Sequence, residues 1–339
     1  MCTGVSIISN EGHIFYGRTM DLAAGMFGED SEQQIPMGII EFPVDYVITG
    51  QLEEWKVKYP TMGMGALDSI VLCDGINSEG LVGDIQVLME DTRASQQELD
   101  KQGLEPVIAE EFLTYILTKF SSVKQLRDSY QSYGLIDIPL KYKGIDMQVP
   151  LHYTFVDSTG DGIVLEPTNE GALVLYDSIG VVTNSPKYDF HTTNIRNYIG
   201  LDNYDPTQPK IVKNNYTIQP IESGTGYGMF GLPGDYTSPS RFVRAFALAN
   251  AIDDFSSENG INTLYSIFRS VIIPRGLEHA SKALTLTDYT RYWSGYDLNE
   301  RKMYVQTGNG LAFTSKKIDT ELVSINYQKV ATSNDVHVI

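Results

Sequence analysis

Strand signals and helix signals come in separate runs along this chain, and that ordering restricts the fold more than any single motif does. Period-two apolar patterns at 5–8 and 13–16 flank Asn10-Glu11-Gly12 and predict a tight hairpin. Further strands are expected at 38–42, 46–49, 69–73 and 81–87. A helical block follows. Pro106 suits a first helical position, and Ile108, Phe112, Ile116 and Phe120 recur every four residues. Ser122 with Gln125 predicts a capped second helix. Strands resume at 152–157, 163–166, 172–176 and 180–183. Ser238-Pro239 opens a helix with Phe242, Ala245, Phe246 and Ala249 inward, another helix covers 263–271, and strands return near 289–293, 302–306 and 321–325. Alternating βαβ units would interleave the two patterns, so blocks of this kind predict an α+β chain of packed sheets with helices outside.

No repeat and no linker divides the 339 residues, and the Pro- and Asn-rich stretch 201–216 is the one extended irregular segment. A single domain over 2–339 is expected. Apolar residues at 42% supply a core and exclude a disordered chain. The net charge of −18 repels phosphate backbones and anionic lipid, and the basic runs reduce to Lys56-Val57-Lys58 and Lys316-Lys317. No nucleic-acid or membrane partner is therefore expected. No stretch reaches the roughly 20 apolar residues of a spanning helix. The first twenty residues lack the basic and apolar regions of a secretory signal, so a cytoplasmic location is expected.

Familiar motifs fail on context. Gly226-x-Gly228-x-x-Gly231 follows no buried strand, and Pro233-Gly234 blocks a helix after it, so it reads as a loop. The five histidines (His13, His152, His191, His279, His337) form no metal-ligand pair, and no metal is expected. Cys73 ends an apolar strand and reads as a small buried hydrophobe.

Cys2 is different. Removal of Met1 would leave a cysteine whose own α-amine titrates near pH 8, so one residue would hold both nucleophile and base. If Ser9 pairs with His13 across the hairpin turn, opposed positions sum to 22. Cys2 then faces Met20, and Arg18 sits diagonally beside the Cys2 side chain. Asp21, just past the strand end, reaches the new α-amine. Arginine beside a thiol favours thiolate, and a carboxylate beside the amine orients it. A one-residue slip of register would send Arg18 to the opposite face.

These residues belong to a wider set: Met1-Cys2-Thr3, Gly17-Arg18-Thr19-Met20-Asp21, Asp74-Gly75-Ile76-Asn77 with Gly80-Leu81, Thr183-Asn184-Ser185-Pro186, and Gly231-Leu232-Pro233-Gly234-Asp235 before Ser240-Arg241-Phe242. Taken in order over nearly the whole chain, they resemble the choloylglycine hydrolase family, the N-terminal-nucleophile amidases that include penicillin V acylases and conjugated bile salt hydrolases. The resemblance implies an αββα four-layer sandwich and a homotetramer, with 197–216 as a plausible assembly arm. It also implies roles: Cys2 as nucleophile, Arg18 and Asp21 as its electrostatic partners, Asn184 as an oxyanion donor and Arg241 as a second cationic support. Leu151-His152-Tyr153-Thr154-Phe155 and Ser185 look more like the penicillin V acylases; bile salt hydrolases more often carry a second Asn at the latter place. The family's Tyr or Asn at the site edge is replaced here by Ile85-Gln86-Val87, where a backbone N–H of Gln86 or Val87 is expected to complete the oxyanion hole. Met26, Phe27, Met62, Met64 and Tyr133 are candidates to line the acyl pocket. The chemistry expected is cysteine-dependent hydrolysis of a small-molecule linear amide through a thioester, first of penicillin V-like amides and alternatively of bile-acid conjugates, with no cofactor; a non-catalytic binding homologue is the remaining alternative, which the full residue set argues against.

Overall fold

The computed structural model describes residues 1–28, 34–206, 208–222, 224–279, 281–282 and 287–335. Thr207 of the irregular stretch and His337 lie outside them. The elements that frame the site begin with β1 (Cys2–Ile8), β2 (Ile14–Leu22), β3 (Met37–Phe42), β4 (Thr61–Ala66), β5 (Leu72–Asn77), β6 (Val82–Val87) and α1 (Ala109–Lys119). They continue with β7 (Leu151–Val156), β8 (Gly162–Asn169), β9 (Ala172–Asp177), β10 (Val181–Val182), α2 (Ser238–Ala251), α3 (Gly260–Phe268), β11 (Thr287–Asp297), β12 (Lys302–Thr307) and β13 (Phe313–Lys317).

Two large antiparallel-rich sheets result. The first runs β10-β1-β2-β11-β12-β13, and β3 to β9 follow one another in sequence order within the second. Strand alternation explains why they stack. On β1 and β2, Val5, Ile7 and Phe15 join a cluster with Phe242 of α2 and Leu264 and Phe268 of α3. Their neighbours Cys2, Ile14, Tyr16 and Met20 point the other way and join Met62, Met64, Ile76 and Val82 of the second sheet. The far face of that sheet offers Leu72, Tyr153, Phe155 and Leu165 to Phe112, Leu113, Ile116 and Leu117 of α1. The layers are therefore helix, sheet, sheet, helix: the αββα sandwich expected.

Where boundaries differ from expectation, local chemistry explains it. Strand β5 starts at Leu72 rather than 69, because the Ser69 hydroxyl donates to Ala66 O and accepts from Val71 N, closing a turn. Pro106 lies in a short strand, Glu105–Val107, rather than at a helix start. That strand ends the sheet order, where a missing N–H costs no ladder bond. Residues 321–325 form no strand; a three-residue strand at Asn326–Gln328 and β13 carry the pairing instead. Ser122 caps its helix, accepting from Gln125 N at 3.3 Å, but the Gln125 side chain accepts from Ser121 N rather than Ser122 N, so the capping box that this pair of residues suggests is only half formed.

Candidate active site

The hairpin register places the site. Cys2 pairs with Met20, Thr3 with Thr19 and Gly4 with Arg18, the sum of 22 expected from the turn. Arg18 therefore projects into the space between the sheets, where it is fully buried, and its Nη2 lies 2.8 Å from Cys2 Sγ. The guanidinium also donates to Cys73 O and to Asp74 Oδ2, both at 3.2 Å, and to Ile85 O at 3.2 Å. Burial alone would push Arg18 down, but coulombic interaction with the acidic groups around it, Asp74 and Asp84 among them, carries it well above its ordinary value. Asp74 in turn accepts from Tyr292 at 2.6 Å and from Tyr296.

A second cluster holds the backbone of Cys2. Asn184 Oδ1 accepts from Cys2 N at 2.7 Å and from Arg241 Nη2 at 2.9 Å. Arg241, on α2, also donates to Cys2 O and to Thr3 Oγ1, and burial pushes it below its ordinary value. The Asn184 carbonyl is fixed by Ser238 Oγ and His191 Nε2, each at 2.8 Å. Asp21 lies inside β2 rather than past its end, at the irregularity where β2 leaves register with β11. Its carboxylate accepts from Thr290 Oγ1 at 2.6 Å and Thr19 Oγ1 at 3.1 Å, and its backbone is bonded both ways to Met1.

Cys2, Arg18, Asp21, Asn184 and Arg241 thus converge from four separated stretches of sequence. The expected pocket residues divide. Met26 and Phe27 line a cavity of about 650 Å³ with Met37, Leu67, Lys329 and Val330. The Phe27 ring meets Tyr292 edge-on, and Tyr292 contacts Arg18, so Phe27 and Tyr292 stand between this cavity and Arg18, and neither Cys2 nor Arg18 is among its lining residues. Met62 and Met64 are fully buried in the core beneath Cys2 and do not line that cavity. Tyr133 belongs to a different core: it stacks edge-on with Phe112 and Tyr115 on the α1 side, so its place at the site mouth is corrected. Gln86 turns inward to Asp84 at 2.9 Å, and Val87 contributes its carbonyl, which accepts from Asn184 Nδ2 at 2.9 Å.

Asp74 and Asp84 carry structural roles that motif reading left unassigned. The available signal was an acidic residue near the centre of each of two buried strands, which a buried sheet tolerates only beside a cation. Cys73 lies within β5, and burial pushes its thiol up to about 12. Among the described residues no group of three or more His, Cys, Asp or Glu could hold a metal ion, and no helix is long and apolar enough to cross a membrane.

Comparison with known proteins gives a consistent picture. Residues 2–331 match the model of linear amide C–N hydrolases, choloylglycine hydrolase family. The bile salt hydrolase/transferase of Clostridium perfringens is 29% identical, covering 99% of this chain and 100% of its own. The crystal structure of the C2A mutant of the conjugated bile acid hydrolase from Clostridium perfringens superposes with a TM-score of 0.85 at 25% identity, over 100% of both chains. The penicillin V acylase of Pectobacterium atrosepticum is 23% identical, over 66% of this chain and 57% of its own.

Proposed function

From a chain that belongs to the choloylglycine hydrolase family of linear amide C–N hydrolases, we propose a bile salt hydrolase that cleaves conjugated bile acids to release glycine or taurine, with Cys2 as nucleophile. The observation that carries the mechanism is the thiol of Cys2 held 2.8 Å from the Arg18 guanidinium while its own nitrogen is held 2.7 Å from Asn184 Oδ1. Once Met1 is removed, that nitrogen is the α-amine. The thiolate adds to the amide carbonyl, and Asn184 meets the developing oxyanion by exchanging its bond to Val87 O. The tetrahedral adduct expels the amine of glycine or taurine, which takes a proton from the α-ammonium. The free α-amine then accepts a proton from water as the hydroxide attacks the thioester, releasing the bile acid and restoring the thiolate and α-ammonium. Asp21, anchored by two hydroxyls, orients the α-amine, and Arg241 keeps the Cys2 backbone in register.

The penicillin V preference read from Ser185 and 151–155 gives way. Ser185 Oγ accepts from Met89 N at 2.7 Å, so it serves a backbone turn rather than marking an acyl group. Relatives matched over 99–100% of their own length include enzymes named bile salt hydrolase/transferase and conjugated bile acid hydrolase, whereas the Pectobacterium penicillin V acylase aligns over 57% of its length. The cavity bounded by Met26, Phe27, Met37 and Val330 falls within the usual range for small-molecule pockets, roughly 300–1,000 Å³, and has room for a bulky acyl group. Side-by-side hydrolysis tests the choice. Glycocholate is expected to show kcat/KM at least tenfold above penicillin V, about 1.4 kcal/mol in transition-state binding. The reverse order would assign the chain to acylase chemistry with the same nucleophile.

A further inference from the structure

Arg18 is the cation in contact with the thiol, and two carboxylates contend for it. Asp74 is bound to Arg18 Nη1 at 3.2 Å and accepts from two tyrosine hydroxyls, so its interactions are saturated. Asp84 is different. It sits opposite Asp74 on β6, fully buried, with Oδ2 3.7 Å from Arg18 Nε and accepting from Gln86 Nε2 at 2.9 Å. Two carboxyl groups and a thiol share one guanidinium, and a low-dielectric interior opposes ionising all three at once.

We propose that Asp84 is a positioning residue for the nucleophile: it competes with Cys2 Sγ for the Arg18 guanidinium and thereby sets the pH range over which Cys2 reacts. The inference rests on the reading of Cys2 as nucleophile. The groups that face Asp84 are Arg18 and Tyr16 from β2, Asp74 and Cys73 from β5, Gln86 from its own strand, Cys2 from β1, and Tyr292 and Tyr296 from β11 through Asp74. Thr154 stands opposite it on β7, with His152 two pairs along, opposite Gln86 and bonded to Glu166. None of these supplies a second cation in contact with Asp84. Burial pushes the Asp84 carboxyl up and Arg18 pulls it back, as a carboxylate sharing its counter-ion must behave. The neighbouring Cys73 thiol, raised to about 12 by burial, takes no part near neutral pH.

The test is the pH profile of Cys2 alkylation by iodoacetamide, read by peptide mass so that Cys73 is scored separately, in processed wild-type protein, Asp84→Asn and Asp84→Ala. Both variants remove the competing charge, and Asp84→Asn keeps the side-chain shape. The acid-side midpoint is expected to fall by about one pH unit in both, a roughly tenfold faster reaction below the wild-type midpoint. The acid limb of kcat/KM for glycocholate should move by the same amount. An unmoved or raised midpoint in either folded variant overturns the proposal and leaves Asp84 a packing residue that alters melting temperature alone. If neither variant folds, Asp84→Ser carries the same expectation. Failure of the nucleophile reading looks different: Cys2→Ala would retain turnover whatever Asp84 does.

Discussion

His191 shows how a residue remote from the thiol constrains it. Its Nε2 donates to the Asn184 carbonyl at 2.8 Å, and its ring stacks on Phe242 with centroids 4.8 Å apart. Burial pushes His191 below its ordinary value of 6.5, so the folded chain keeps it neutral where the unfolded chain takes up a proton. A base whose folded value is depressed contributes stability that is present above the unfolded value and lost as pH falls below it. Melting temperature should therefore decline as pH drops below about 6.5, and His191→Gln should flatten that part of the curve relative to wild type. Parallel curves for the two proteins would show that His191 contributes nothing to acid sensitivity. Arg241 illustrates a different dependence. Its fork meets Cys2 O, Thr3 Oγ1, Asn184 Oδ1 and Tyr236 O together, a planar set of donors that a lysine ammonium does not reproduce.

At the scale of elements, the β1–β2 hairpin is the part on which the site depends. Gly4 faces Arg18 across the pair, and a methyl group there would press into the Tyr16 hydroxyl and lie 2.7 Å from Val182 Cγ1. Gly4→Ala is expected to cost about 1–3 kcal/mol by overpacking, measured by urea unfolding, with a larger proportional loss of kcat because β1 carries Cys2. An unchanged unfolding midpoint would mean that β10 yields without strain. This hairpin was also the most legible element, since one turn fixes the register of every pair in it. Cys2, Arg18, Asp21, Asn184 and Arg241 were readable because a short motif surrounds each. Tyr133 was not, because an aromatic in a short strand gives no sign of which sheet face it serves, and here it faces α1. Pro106 misled for a related reason: its fixed φ suits a helix start and an edge strand equally, and only the sheet order decides between them. The partnership of Asp84 with Arg18 joins residues 66 positions apart on two sheets, beyond the reach of any local pattern.

For the whole molecule, the sandwich gathers polar side chains between two sheets whose outer faces are covered by helices, and Cys2 is buried in that layer. The arm at 197–216 exposes Ile199, Tyr204, Ile211 and Tyr216 among its described residues. We propose that this arm mediates the homotetramer implied by the family resemblance, since so many exposed apolar side chains on one excursion call for a covering surface. Sedimentation at micromolar concentration should give four times the 37.8 kDa chain mass, and a monomer at that concentration would discard the idea. The mechanism itself is decided most directly by glycocholate hydrolysis with wild-type protein, shown by intact mass to lack Met1, beside Cys2→Ala with the same circular dichroism and melting temperature. Wild-type protein should release glycine, and the variant should fall by at least about 10⁴-fold; a folded Cys2→Ala protein that turns over normally would contradict the assignment of Cys2 as the nucleophile.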